Sequence, residues 1–206
     1  MGQSYRENVF DRLRETLAPI APLSRGLDFG GGDGWFARRL MDAGLVGEVV
    51  PVDVMRRERT IVEPVIYDGE TLPFEDRSFD LVYAIDTVHH ADEPTASLAE
   101  AMRCAEHHVV LKDHTYTTAV TKATISILDE LGNRRFGVPS PHHYQRGWEW
   151  LPTFEQGGFE LCELRHPILC ETRPLLSRFS NGFQFIGRWR RRDGDVPEEQ
   201  RDTARQ

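Results

Sequence analysis

A chain of 206 residues with 39% hydrophobic and 28% charged side chains is long enough to bury one sizeable core. Its 33 acidic and 25 basic residues give a formal charge of −8, which argues against binding nucleic acid or an anionic membrane, because both need basic surface. No apolar run approaches the roughly 20 residues of a membrane span. The three cysteines share no close spacing, so the sequence predicts a reduced, cytoplasmic protein.

The first half of the chain alternates between strand and helix patterns. The predicted elements are a helix over 4–18, a strand over 25–29, a helix over 34–44, strands over 47–54, 64–67 and 79–85, a helix over 93–105 and a strand over 107–113. Strands that alternate with helices predict a parallel α/β sheet. The segment FDLVYAI at 79–85 is almost wholly apolar, as expected of a strand covered on both faces.

From about residue 115 this alternation ends. The predicted elements are a helix over 117–131 with Val120, Ile127, Leu128 and Leu131 inward, a histidine-bearing loop, a short helix over 146–156, and antiparallel strands over 159–166 and 182–190. The polar residues 193–206 predict a disordered tail. We therefore expect one domain over 1–192, in which the N-terminal helix, 1–20, is a lid and residues 115–158 form a cap on the substrate side.

The most informative segment is GLDFGGGDG at 26–34, where an apolar strand with one carboxylate, Asp28, opens into glycines. Glycine lets a backbone approach a ligand closely and adopt positive φ. A strand followed by a glycine turn and a helix N-terminus is a geometry that binds nucleotides. Taken alone, the segment does not identify the nucleotide.

Acidic residues follow the next two predicted strands. Asp53 ends the second strand, and Asp68 with Gly69 follows the third. Because the carboxyl ends of parallel strands meet at one edge of a sheet, these residues should converge on the glycine turn. The Asp53 carboxylate could accept both hydroxyls of a ribose, and Asp68 could accept a hydrogen bond from an adenine amine.

These motifs, Asp28-x-Gly30-x-Gly32-x-Gly34, Asp53, DGETLPF at 68–74 and FDLVYAIDTVHH at 79–90, resemble in this order a small-molecule class I S-adenosylmethionine-dependent methyltransferase. The resemblance covers about residues 24–114. It implies a single-domain, Rossmann-like, doubly wound sheet of seven strands in the order 3-2-1-4-5-7-6, with strand seven antiparallel. It also implies S-adenosylmethionine as cofactor and S-adenosylhomocysteine as product.

The resemblance also implies roles for individual cofactor-side residues. By position, Asp28 supports the turn, Asp53 holds the ribose, and Ala84 lends backbone near the methionine end. The remaining implied cofactor residues are Gly30, Gly31, Gly32 and Gly34 along the methionine and ribose, and Asp68 and Gly69 at the adenine. The family usually has a full helix after strand two, whereas MRRERTIVEP is a poor helix. We therefore expect a shortened region there that covers the adenine side thinly.

Histidines provide the candidates for acid–base chemistry. His114, then His89 or His90, could act as a base, because each lies at the substrate edge of the predicted sheet. The open alternative is that they are hydrogen-bonded packing residues. Candidate substrate contacts are Tyr5, His142, His143 and Tyr144. No metal site is expected, because adjacent histidines on a strand point to opposite faces and neither HExxH nor CxxC is present.

The function implied is transfer of a methyl group to an oxygen, nitrogen or carbon of a small molecule by in-line displacement. Three alternatives stay open. Gly32-x-Gly34-x-x-Ala37 also fits a loose dinucleotide fingerprint, so an NAD(P)-dependent oxidoreductase is one of them. The others are a non-catalytic S-adenosylmethionine-binding regulator and a macromolecule methyltransferase. Neither a nucleic-acid nor a membrane partner is expected, and the sequence assigns no oligomeric state.

Overall fold

The computed structural model describes residues 3–133 and 143–192, so His142 and the predicted tail lie outside the described residues. The strands are β1 Leu23–Phe29, β2 Val46–Asp53, β3 Val65–Ile66, β4 Phe79–Ile85, β5 Ala105–Tyr116, β6 Gln145–Arg146, β7 Phe159–Arg165 and β8 Gln184–Arg191. The α-helices are α1 Gln3–Leu17, α2 Trp35–Asp42, α3 Pro94–Cys104, α4 Ala119–Asn133, α5 Leu151–Gln156 and α6 Pro174–Ser180. Short 3₁₀ turns span Val88–His90 and Asn181–Phe183.

The strands form one sheet in the order β3-β2-β1-β4-β5-β8-β7, and β6 pairs with the carboxyl end of β5. The first five strands are parallel. β8 runs antiparallel to both β5 and β7. The predicted order is therefore confirmed, with β7 and β8 as its sixth and seventh strands. The two-residue β6 is an eighth strand that was not predicted.

Both faces of the sheet are covered, as a doubly wound fold requires. On one face, α1 and α2 pack on the sheet through residues such as Leu13, Trp35 and Leu40. On the other face, α3 and α5 cover it, and the Phe154 ring stacks on Trp189 at 3.9 Å. Within the described residues, no helix combines the length and apolar character needed to cross a bilayer.

The region after β2 is short, as predicted. Residues 54–64 contain neither helix nor strand, and their backbone crosses the glycine turn, where the Ile61 N–H donates to the Asp33 carbonyl at 2.7 Å. The neighbouring edge strand β3 is thinly covered, since Val65 and Ile66 are both exposed. A loop thus replaces the helix usual after this strand, and it contacts the glycine turn at Asp33 and Gly34.

The orientation predicted for the helix after β5 was wrong. In α4, Ile125 is buried, whereas Val120 and Ile127 are 76% and 61% exposed. The helix carries more than one apolar stripe, and helical spacing alone does not say which stripe faces the sheet. Helix α6 was not predicted, because its seven residues are too few to show a helical period.

Candidate active site

Three glycines in the turn after β1 adopt positive φ, at +74° for Gly30, +60° for Gly32 and +74° for Gly34. A Cβ added to Gly30 would lie 2.1 Å from a Thr87 methyl carbon, and one added to Gly34 would lie 2.5 Å from the Val62 carbonyl oxygen. A Cβ added to Gly32 would meet no atom closer than 4.0 Å. Packing therefore requires glycine at Gly30 and Gly34, whereas Gly32 borders open space.

Asp53 lies directly against this turn. Its side chain is buried, Oδ2 accepts the N–H of Gly32 at 2.9 Å, and Oδ1 accepts the N–H of Met55 at 3.1 Å. Each carboxylate oxygen has a second lone pair with which it can accept a hydroxyl. The predicted ribose acid therefore stands beside the open space at Gly32, although the ribose contact itself stays a prediction.

Asp28 lies beneath the turn. It is buried, and a Cβ added to Gly31 would come within 3.1 Å of its carboxyl carbon. The pKa of Asp28 is raised to about 7, chiefly by burial; the Tyr83 hydroxyl opposes this rise, and the nearby Asp53 adds to it. This position agrees with a supporting role under the glycines.

The predicted adenine residues form an exposed turn next to the end of β2. Asp68 Oδ1 accepts the N–H groups of Glu70 and Thr71 at 2.9 and 3.1 Å, and these bonds lower the pKa of Asp68. Gly69 has φ +91°. Tyr67 precedes this turn and packs its ring 6.3 Å from Phe29. No motif points to Tyr67. The sequence shows only that an aromatic residue ends the predicted third strand.

The histidines gather where β4 and β5 end. Around the buried His89, the rings of His90, Tyr144 and His114 have their centroids at 4.1, 4.9 and 5.4 Å. His143 is exposed, with Nδ1 2.9 Å from the Ala91 carbonyl oxygen, and its N–H donates to the His89 carbonyl. Candidates from three separate segments therefore form one cluster, and their catalytic or substrate-binding roles stay predictions.

Two residues for which the sequence predicted no individual role, Lys112 and Asp86, anchor α1 to this edge. Lys112 is fully buried, and its Nζ donates to Asp86 Oδ1 at 2.5 Å and to the Tyr5 hydroxyl at 2.6 Å. The Tyr5 oxygen also lies 2.9 Å from Gln184 Oε1. Asp86 has φ +50°, a strained value for a non-glycine residue of the kind that clusters at functional sites. Tyr5 thus anchors α1 to the sheet, and its predicted contact with the substrate stays a prediction.

The residues present fit S-adenosylmethionine. The open space at Gly32 admits a ligand close to the backbone, and the neighbouring Asp53 offers acceptors for ribose hydroxyls. Asp33, in the same turn, adds a carboxylate that favours a cationic ligand, although it also pairs with Arg6 at 2.7 Å.

Comparisons with known proteins support the same fold. Residues 27–111 match a family model described as a methyltransferase domain. A demethylmenaquinone methyltransferase of Renibacterium salmoninarum is 29% identical over 159 residues, which cover 70% of this chain and 65% of that protein. The chain thus spans about two thirds of the length of the curated relative it matches.

Solved structures resemble the chain in fold. The magnesium protoporphyrin IX methyltransferase of Synechocystis, with bound S-adenosylhomocysteine, has a TM-score of 0.60 at 16% identity, covering 92% of this chain and 86% of that one. The [4+2]-cyclase SpnF has a TM-score of 0.61 at 16% identity, covering 89% and 81%. At these identities the likeness shows the fold alone, and one fold supports several chemistries.

Proposed function

We propose that this chain, whose residues 27–111 match a methyltransferase-domain model, is a class I S-adenosylmethionine-dependent methyltransferase that transfers a methyl group to a small-molecule acceptor. The observation that carries this proposal is the 2.9 Å hydrogen bond from the Gly32 N–H to Asp53 Oδ2. It places the candidate ribose acid beside the one turn glycine that borders open space.

When bound, S-adenosylmethionine supplies a methyl group on a positively charged sulfur, open to in-line attack. The chain then has to align the acceptor and exclude water, effects that can together contribute several kcal/mol. Gly32 and Asp53 would hold the cofactor, while the cluster of His89, His90, His114 and Tyr144 would face the acceptor. The backbone of Ala84, which pairs with Phe29 of β1, would lie near the methionine end of the cofactor.

The histidine cluster favours an acceptor that loses a proton, such as one with a hydroxyl group. His114 is the first candidate base, because it is 15% exposed at the side chain, whereas His89 is fully buried. An unperturbed imidazole has a pKa of about 6.5, close to neutral pH. The matched relative is named for demethylmenaquinone, so reduced 1,4-naphthoquinone is the first acceptor to assay.

Calorimetric titration tests the cofactor. We expect S-adenosylmethionine and S-adenosylhomocysteine to bind in the micromolar range and NAD(P)H not to bind. Asp53→Ala should abolish the binding. Asp80→Ala is the matched control, because its carboxylate also accepts backbone N–H groups, those of Ser24 and Arg25 at the opposite edge of the sheet. Binding of NAD(P)H alone, or full affinity in Asp53→Ala, contradicts the proposal.

Turnover distinguishes an enzyme from a cofactor-binding regulator. Transfer of a labelled methyl group to reduced 1,4-naphthoquinone would support the proposal. The compound retained by the purified protein, identified by mass spectrometry, would indicate further hydroxyl, amine and carbon acceptors to assay. Once an acceptor is found, unchanged kcat/KM in His114→Ala would exclude His114 as the base. Cofactor binding without transfer to any acceptor would favour a regulator.

We also propose that α1 is the lid of this site and that residues 115–158 cap its acceptor side. Arg6 pairs with Asp33 in the glycine turn at 2.7 Å, and Tyr5 reaches Asp86 and Lys112 on the histidine side. A helix held at both sides would be further ordered by a ligand between them. Amide hydrogen exchange in α1 should therefore slow when S-adenosylhomocysteine is added, and equal rates would contradict the lid.

A further inference from the structure

One buried carboxylate, that of Asp113 near the end of β5, contacts both histidine-bearing segments. Its Oδ1 accepts the backbone N–H of His114 at 2.7 Å and lies 2.5 Å from Nδ1 of His89. The Asp113 side chain is fully buried. Burial alone would raise the pKa of Asp113, but His89 and His114 together lower it well below the usual range. Asp113 is therefore a charged group enclosed by protein.

His114 faces the same negative charge without a side-chain hydrogen bond to it. Its Nδ1 lies 3.5 Å from Asp113 Oδ1 and 3.6 Å from Asp86 Oδ1. These separations exceed a hydrogen bond, yet Coulomb forces still act across them, most strongly where solvent is excluded. A lone pair on Nδ1 would face two anionic oxygens, whereas a proton there is attracted by both. The geometry thus favours the Nδ1–H form of His114.

We propose that Asp113 is a positioning residue that keeps the protons of His89 and His114 on Nδ1, so that each ring carries its lone pair on Nε2. A neutral imidazole has one donor and one acceptor nitrogen, so fixing one nitrogen fixes the other. A base needs its lone pair aimed at the proton it removes. The catalytic role of these lone pairs rests on the proposed function, whereas the assignment of the tautomers does not.

The same three residues place donor atoms within 4.8 Å of one another, which is also compatible with a metal ion. Two ligands of a tetrahedral zinc ion, each about 2.1 Å from it, lie about 3.4 Å apart. The 2.5 Å separation of His89 Nδ1 and Asp113 Oδ1 is shorter and fits a direct hydrogen bond from Nδ1–H to the carboxylate. The buried Lys112 ammonium, held by Asp86, also disfavours a second cation nearby.

Imidazole ¹⁵N NMR on the full chain under mildly alkaline conditions, without ligand, tests this. We expect a proton on Nδ1 and none on Nε2 in both His89 and His114, with a far-downfield proton signal for His89. His89→Gln and His114→Gln assign the signals. Asp113→Asn should remove the downfield signal and raise the share of the Nε2–H tautomer of His114, whose Nδ1 then faces only the Asp86 carboxylate. His108, a buried histidine at the other end of β5, is the internal control and should not change.

Further measurements distinguish a positioning role of Asp113 from a role in folding. Asp113→Asn should keep its S-adenosylhomocysteine affinity within about 3-fold while kcat/KM for an established acceptor falls about 100-fold or more. If Asp113→Asn does not fold, the wild-type ¹⁵N pattern alone decides. A proton on Nε2 of either ring, or a stoichiometric metal ion in place of the downfield proton, overturns the inference. If wild-type protein binds no S-adenosylmethionine, the proposed function fails while the tautomer result still stands.

Discussion

The cofactor side and the acceptor side of this site are built in different ways. On the cofactor side, Gly32 and Asp53 lie 21 positions apart, at the ends of two paired strands. On the acceptor side, Tyr5 contacts Gln184, 179 positions away, and also Asp86 just after β4 and Lys112 in β5. The first side is a local motif, whereas the second is a polar network assembled by the whole fold. The two sides should therefore respond differently to substitution.

The largest effect is expected from breaking the buried ion pair on the acceptor side. Lys112→Met leaves the Asp86 carboxylate without its cation, and losing one partner of a buried pair typically costs about 3–5 kcal/mol. The free energy of unfolding, from urea titration, measures this cost. Adding Asp86→Asn should recover part of the loss, since the uncompensated charge is then gone. A loss below about 1 kcal/mol in Lys112→Met would show that the network contributes little to the fold.

The cofactor side should lose less, and for a steric reason. Gly34→Ala combines positive φ with a Cβ only 2.5 Å from the Val62 carbonyl oxygen, and we expect a loss of about 2–4 kcal/mol. Gly44→Ala is the matched control, because Gly44 has φ +66° and open space around its Cβ. Its loss should be about 1–2 kcal/mol, the cost of the backbone strain alone. Equal losses in urea titrations would mean that the loop after β2 moves aside.

This contrast explains what the sequence could predict. The glycine turn and Asp53 were found because strand, turn and strand end follow each other along the chain, and topology brings them to one edge. The histidines were placed at the correct edge by the same rule. The sequence did not predict that Asp86, Lys112 and Asp113 interact. A charged residue at a strand end is expected to be solvated, and only the tertiary structure shows that it is buried. Likewise, only packing determines which stripe of α4 faces inward.

A third prediction concerns the pH dependence of the cofactor side. The pKa of Asp28 is about 7 in the folded chain against 3.8 when unfolded, so the folded state binds the extra proton between these values. The contribution of Asp28 to stability should therefore be largest at low pH and fall as pH rises toward the folded pKa, by roughly 2 kcal/mol between about pH 5 and 7. Asp28→Asn should flatten that part of the profile in urea titrations at several pH values. An unchanged slope would show that Asp28 is ionised in the folded state.

The smallest effect is expected on the acceptor side, where a substitution can distinguish the anchoring of α1 from the stability of the whole fold. Tyr5→Phe removes one hydroxyl from the network around Lys112 but keeps the ring, so we expect a loss of about 1 kcal/mol. Because that hydroxyl joins α1 to the sheet, amide exchange in α1 should quicken more than this small loss implies. Tyr116→Phe, at the end of β5, is the matched control and should leave exchange in α1 unchanged. Uniform acceleration across the sheet in Tyr5→Phe would mean that the hydroxyl stabilises the whole fold, and that α1 does not open as a separate unit.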